Sequence, residues 1–232
     1  MRLLITITIV CIAAILLISG GTIANKIDFK FYHNAFINGL IKYQIIAVLI
    51  GIFTMIVFIS INPESKTFLK FGNLSSIAEK EKWLGINGKS NWMLNGLQLL
   101  LFISIATAVF MFLALKHTNS LGNFQWWFIP FILLFSLTNS FAEEIIFRFG
   151  IIAGLHTHYS KITILILSSI LFGLPHYFGN PNGVIGILMS GMLGYILCKA
   201  TYETKGIFIA WQIHFIQDII IFTSLMMMYI KE

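Results

Sequence analysis

Apolar runs of membrane-spanning length recur along this chain, separated by short polar intervals. Residues 3–25 are uncharged and mostly apolar, directly after Arg2. Residues 43–63 form a second such run and 90–115 a third. Residues 124–142 form a fourth, which opens on Trp126 and Trp127, a pair suited to the membrane interface. Residues 162–178, 184–198 and 206–230 complete the set. A helix needs roughly 20 apolar residues to cross the hydrocarbon layer. Inside lipid every backbone N–H and C=O must find a partner within the chain, so these runs predict helices. The pattern predicts an all-α fold, a polytopic transmembrane helix bundle of about seven spans.

The polar intervals complete the outline. Residues 26–42 read as a connection. Residues 64–89 form the longest interval, where Lys66, Lys70, Lys80, Lys82 and Lys89 alternate with Glu64, Glu79, Glu81 and several aromatics. Basic and aromatic side chains together suit the headgroup region, and a solvated loop is the other reading. Residues 179–183, Gly-Asn-Pro-Asn-Gly, form a tight turn by composition. In the sixth run Gly186, Ser190 and Gly194 put small groups on one helix face, where another helix can approach closely. The expected organisation is one membrane domain: two N-terminal spans over 1–61, an amphipathic connection over 62–91, and a helix bundle over 92–232.

Composition sharpens this. Of the 232 residues, 58% are hydrophobic and 10% charged, whereas a soluble domain carries about 25% charged residues. No polar block is long enough to bury a core of its own. The net charge of +6 comes from lysines flanking the apolar runs, not from a basic patch of the kind nucleic acid requires. If all seven runs cross, Arg2, Lys66, Lys70, Lys80, Lys82, Lys89, Lys161, Lys199 and Lys205 share one side. Lys26, Lys30, Lys42, Lys116 and Lys231 occupy the other. Nine against five places the N-terminus in the cytoplasm. The first run reads as a retained signal anchor; a cleaved signal peptide ending near Thr22-Ile23-Ala24 is the alternative. Short loops and Lys- and Ile-rich usage suggest a bacterial cytoplasmic membrane. Cys11 and Cys198 both lie in apolar runs, which argues against a disulfide framework or a cysteine zinc site.

Against this background Glu143, Glu144 and Arg148 stand out, because residues 121–142 carry no charge. A charge at membrane depth costs about 2.5–3.5 kcal/mol on insertion scales, so it persists when it is paired, wetted or used in chemistry. The other ionisable residues inside the runs are His176, His214 and Asp218. Glu144 and Arg148 are four apart, on one helix face, and can pair. Glu143 then points about 100° away, as a candidate general base. His176 directly follows Pro175, which opens the helix hydrogen-bond ladder where the freed backbone can line a cavity. His214 and Asp218 share a face of the last run, where the aspartate can orient the imidazole. Each feature also has a plain structural reading: a neutralised buried acid, an interfacial histidine, a self-satisfied helix pair.

Taken together, Glu-Glu-x-x-x-Arg (Glu143, Glu144, Arg148), Phe-x-x-x-His (Phe172, His176) and His-x-x-x-Asp (His214, Asp218) resemble the three motifs of the CPBP family. These are the CAAX prenyl endopeptidases and bacteriocin-processing, or Abi, proteins. Phe71-Gly72-Asn73 and Trp83-Leu84-Gly85-Ile86 also resemble the segment that precedes the core in many members. The resemblance implies an intramembrane endopeptidase with catalytic residues on the fourth, fifth and seventh spans. In it Glu143 and His176 activate a water, and His214 and Asp218 stabilise the tetrahedral oxyanion. Glu144, Arg148 and Phe172 brace the site or contact substrate. The third motif often ends in Asn in prenyl-protein members; an ionised aspartate in its place repels an oxyanion, so Asp218 either is protonated to donate or only orients His214. No cofactor is expected. Zn²⁺ is the alternative, and Glu143, His176 and His214 would then be its ligands, although His-Glu-x-x-His is absent.

The implied partners are the lipid bilayer and a membrane-tethered or lipidated peptide or protein, with no nucleic acid. Two other classes compete. In a proton-coupled transporter the same buried groups would relay protons, although no internal repeat is evident. A non-catalytic immunity-type protein of the same fold would keep the residues without using them.

Overall fold

A computed structural model describes residues 1–117, 122–179 and 182–230. Among these, seven helical segments are long and apolar enough to cross a membrane. They are α1 (Arg2–Asn25), α2 (Ala35–Ile61), α3 (Trp92–His117), a compound fourth, α6 (Lys161–Gly173) with its extension to Phe178, α7 (Gly183–Thr204) and α8 (Phe208–Tyr229). The compound fourth joins α4 (Ile129–Glu144) to α5 (Gly150–Leu155) through a widened turn at Ile145–Phe149. This is an all-α, multi-pass membrane protein. The turn expected at 179–183 falls largely at residues 180 and 181, outside the described residues.

Two helices run further than the apolar pattern indicates. The second starts at Ala35 rather than near residue 43, because polar side chains serve its first turns. Asn34 Oδ1 caps the helix by accepting from Ile37 N, and Asn38 Oδ1 accepts from Phe31 N and Tyr32 N. Lys42 Nζ reaches back to the Ile27 carbonyl. The sixth continues past residue 198 to Thr204, carrying Lys199 and Glu203 inside the helix as an i,i+4 ion pair.

Helix α4 is the centre of the bundle, packed between α2 and α8. Helix α8 also contacts α3 and α7, α7 lies along α6, and α1 rests on α2 and α5. Large apolar side chains such as Leu101, Phe102, Ile105 and Phe112 of α3 point outward, as lipid contact allows. Helices α6 and α7 approach closely: a Cβ on Gly173 would stand 2.7 Å from the Ile187 carbonyl. Gly194 packs against Phe172, so the small-residue face of the sixth run does bring a neighbouring helix close.

The long interval is not a free loop but is bonded to the helix ends. After a 3₁₀ segment at Pro63–Leu69 it folds across the end of the bundle, pinned by backbone bonds from Asn73 N to Thr204 O and Ile207 N to Lys70 O. Gly72, at φ +85°, lies so close to Gly206 that a Cβ on Gly206 would come within 2.3 Å of it. Glu203 ties this strap to the helices. It accepts from Trp92 Nε1 and Glu79 N, and pairs with Lys161 and Lys199. Lys161 also pairs with Glu79. Sequence reading assigned these charges to connections and span ends. Lys199, only 2% exposed, is instead buried by its partners.

Candidate active site

At the end of α4 the backbone does not stop but widens. Ile145–Phe149 adopts i→i+5 bonding, and all five residues are buried, Arg148 among them. Such π turns are rare and concentrate at functional sites. Arg148 Nη2 lies 3.3 Å from Glu144 Oε1, and its guanidinium sits 3.8 Å above the centre of the Phe172 ring. A fully buried cation is thus met by a carboxylate and an aromatic face.

The fifth span supplies the second motif. Helix α6 ends at Gly173, and Leu174–Phe178 tightens to 3₁₀ geometry around Pro175. The proline therefore narrows the helix end instead of kinking its middle. With backbone bonding shifted to i→i+3, the Phe172 carbonyl is available to a side chain. His176 Nδ1 lies 2.7 Å from it. The carbonyl can only accept, so Nδ1 carries the proton and Nε2 is the nitrogen left for other work.

Helix α8 brings the third motif. His214 Nδ1 is 2.8 Å from Glu144 Oε1, while Nε2 stands 3.5 Å from Glu143 Oε2 and 3.8 Å from Asp218 Oδ1. The carboxylate hydrogen-bonded to His214 is therefore Glu144 of the neighbouring helix, not Asp218. The i,i+4 spacing sets Asp218 near the Nε2 edge of the ring, and packing against α4 gives the Nδ1 edge to Glu144. Glu143 is not isolated either. Asn139 Nδ2 reaches both Glu143 Oε1, at 3.3 Å, and Asp218 Oδ2, at 3.1 Å. Of the two Glu143 oxygens, Oε2 is the one left without a hydrogen-bond partner.

These side chains surround a cavity of about 310 Å³ between α3, α4, α7 and α8. Glu143, Phe172, His176, His214 and Asp218 line it, together with Asn139 and Tyr43. Glu144 and Arg148 do not reach it and sit behind His214. A second cavity, about 270 Å³, opens toward α1 and is bordered by Ala14, Leu17, Phe147 and Phe178. Glu143, His176, Tyr43 and Gly179 border both. Sequence reading did not single out Asn139 or Tyr43. Asn139 precedes Glu143 by one helical turn, a spacing that could have flagged it. Tyr43 begins the second apolar run, where a tyrosine reads as an interfacial anchor.

Among the described residues no three His, Cys, Asp or Glu side chains converge in an arrangement that could hold a metal ion. Glu143, His176 and His214 line one cavity, with His214 Nδ1 hydrogen-bonded to Glu144 and its Nε2 3.5 Å from Glu143. As arranged the three do not form a group that could hold a metal ion, and no step below is routed through one.

Residues 125–220 match the family described as Type II CAAX prenyl endopeptidase Rce1-like. That stretch holds all three motifs and leaves α1, α2 and α3 outside. No curated protein and no solved structure matches the chain.

Proposed function

We propose that the pocket lined in part by the fourth, fifth and seventh spans of this chain, whose residues 125–220 match the family described as Type II CAAX prenyl endopeptidase Rce1-like, hydrolyses peptide bonds within the membrane. The observation that carries this reading is the position of Glu143 and His176 in the common wall of two cavities. A peptide running from one cavity to the other would present its carbonyl beside the free oxygen of Glu143.

The chemistry follows from the donors and acceptors at hand. Glu143 Oε2 has no hydrogen-bond partner and can take a proton from a water held against His176 Nε2. The resulting hydroxide attacks the carbonyl carbon, and the tetrahedral oxyanion forms on the side of His214. With Nδ1–H given to Glu144, a protonated His214 presents Nε2–H to that oxygen. Glu143 then returns its proton to the departing amine. Asp218 lacks the amide of the commoner asparagine; its part is to hold the Nε2 edge of His214 rather than to donate. The substrate class this pocket suits is a membrane-tethered or lipidated peptide, since its walls beyond the polar centre are Ile103, Phe110, Met111, Leu193 and Phe222. On this reading the N-terminus faces the cytoplasm of a bacterial cell, by the nine-to-five lysine and arginine bias.

The test compares membranes holding wild-type, Glu143→Ala and His176→Ala protein by mass spectrometry of newly formed peptide termini. Termini present with wild type and lost in both variants, at equal protein levels, support the reading. A Glu143→Ala protein that generates the same termini ends it. A transporter would instead carry protons across liposomes and produce no new termini.

A further inference from the structure

Two carboxylates from different helices face each other in this pocket, and two side chains bridge them. On one edge His214 Nε2 stands 3.5 Å from Glu143 Oε2 and 3.8 Å from Asp218 Oδ1. On the other edge Asn139 Nδ2 lies 3.3 Å from Glu143 Oε1 and 3.1 Å from Asp218 Oδ2. The four side chains form a closed ring in which every carboxylate oxygen faces one nitrogen. Within it the hydrogen-bonded oxygens are on the Asn139 edge, and Glu143 Oε2 on the imidazole edge has no hydrogen-bond partner.

We propose that Asn139 is a positioning residue for the catalytic carboxylate, tethering Glu143 Oε1 and Asp218 Oδ2 with one amide so that Glu143 Oε2 is the oxygen that accepts the proton of water. The proposal rests on the endopeptidase reading above. A primary amide has two N–H donors and can serve two acceptors at once, which a hydroxyl or a ring nitrogen cannot. It carries no net charge, so it bridges two acids without pairing off either one. Asn139 is four residues before Glu143, on the same face of α4, and this spacing brings the amide to the near oxygen of Glu143 and no other. The far acceptor comes from α8, so the same amide sets the distance between the two helices at the level of the reacting groups. Without it both carboxylates would face each other across a poorly hydrated pocket, and Glu143 could turn either oxygen toward Asp218.

Asn139→Leu keeps most of the volume and removes the amide, while Asn139→Asp keeps the shape and replaces a donor with a third acceptor. Both are read on an internally quenched peptide carrying a hexadecyl anchor, cleaved by the full-length protein in lipid nanodiscs, beside wild type and Glu143→Ala. The expected result is a kcat lower by roughly 10- to 100-fold in Asn139→Leu, of the order lost when a general base is misplaced, with KM within about threefold of wild type. Asn139→Asp loses at least as much. The effect of Asn139→Leu also shrinks in an Asp218→Leu background, because the amide then has one acceptor left to hold. A kcat for Asn139→Leu within about threefold of wild type overturns the proposal, and so does a loss that is simply additive with Asp218→Leu. A parallel fall in kcat and melting midpoint that Asn139→Gln does not reverse assigns Asn139 to packing and overturns it too. If wild type and Glu143→Ala cleave the probe alike, the endopeptidase reading fails and takes this inference with it. If Glu143→Ala is inactive while Asn139→Leu cleaves like wild type, the endopeptidase reading stands and this inference alone fails.

Discussion

Glu144 on α4 and His214 on α8 share a 2.8 Å hydrogen bond across 70 residues of chain. The same Glu144 oxygen holds Arg148, whose guanidinium lies on the face of Phe172. The Phe172 ring meets His214 edge-on, with centres 5.7 Å apart, and its carbonyl fixes His176. Groups from all three motifs are thus one connected unit, with the ion pair as its anchor and the two imidazoles as its ends. His214 is thus held from behind by Glu144 and Arg148, which do not line the cavity, and His176 by Phe172, which does.

That anchoring has a measurable cost when broken. Glu144→Ala leaves the fully buried Arg148 without its carboxylate, and removing one partner of a buried pair costs about 3–5 kcal/mol. The double variant Glu144→Gln/Arg148→Met removes both charges and is expected to melt closer to wild type than Glu144→Ala does. Thermal unfolding in detergent micelles orders the three proteins. Equal melting of Glu144→Ala and wild type would show that the guanidinium does not depend on this pair.

A mechanism that uses only side chains and water makes a prediction about chelators. Catalytic zinc is stripped by strong chelators, and activity goes with it. Purified protein dialysed against 1,10-phenanthroline is expected to cleave its substrate at a rate within about twofold of the untreated sample. Loss of cleavage that added Zn²⁺ restores would require a metal in the pocket and a different account of Glu143.

The sequence was informative wherever lipid forces a simple rule. Seven spans stand out because a bilayer admits unbroken apolar helices, and charges inside them stand out because each is costly. Local spacing announced the Glu144–Arg148 pair and put Asp218 beside His214. What depends on packing between helices was not legible. Nothing in the spacing of His214 says that its Nδ1 turns to Glu144, since that follows from α4 lying against α8. The widened turn at Ile145–Phe149 has no glycine or proline to mark it. Asn139 and Tyr43 are neutral, so neither carries the insertion cost that drew attention to the acids. At Asn34, Lys42, Lys199 and Glu203 polar residues looked like loop, yet they cap or pair inside helices.

The charge cluster at the strap gives a prediction independent of catalysis. Glu203 is the common partner of Lys161, Lys199, Trp92 and the Glu79 amide. Glu203→Gln keeps a side-chain oxygen for Trp92 but leaves the buried Lys199 with only Glu81, 3.8 Å away. A loss of about 3–5 kcal/mol is expected from such a half-broken buried pair. Limited trypsin digestion should then cut at Lys80 or Lys82 earlier than in wild type, as the strap lifts from α7. Unchanged digestion would mean that the backbone bonds at Asn73 and Ile207 hold the strap by themselves.

The approach of α6 to α7 links packing to the position of His176. Gly173 lies three residues before His176, at the point where α6 tightens into 3₁₀ geometry. An added Cβ there would stand 2.7 Å from the Ile187 carbonyl and 3.0 Å from Gly191 Cα. Both are backbone atoms that cannot swing aside, so the helices must separate. Overpacking of this kind costs about 1–3 kcal/mol. Because the strain falls beside the 3₁₀ turn, Gly173→Ala is expected to reduce cleavage more than its stability loss alone would. Gly191→Ala is the milder companion, since its Cβ would meet Ser169 O at 3.3 Å. Gly39→Ala has open space around it and serves as a silent control. Melting midpoints and cleavage rates for the three variants should therefore fall in the order Gly39→Ala, Gly191→Ala, Gly173→Ala. A Gly173→Ala protein with wild-type rate would mean that His176 is held by its own bond to Phe172 and not by the seam between the helices.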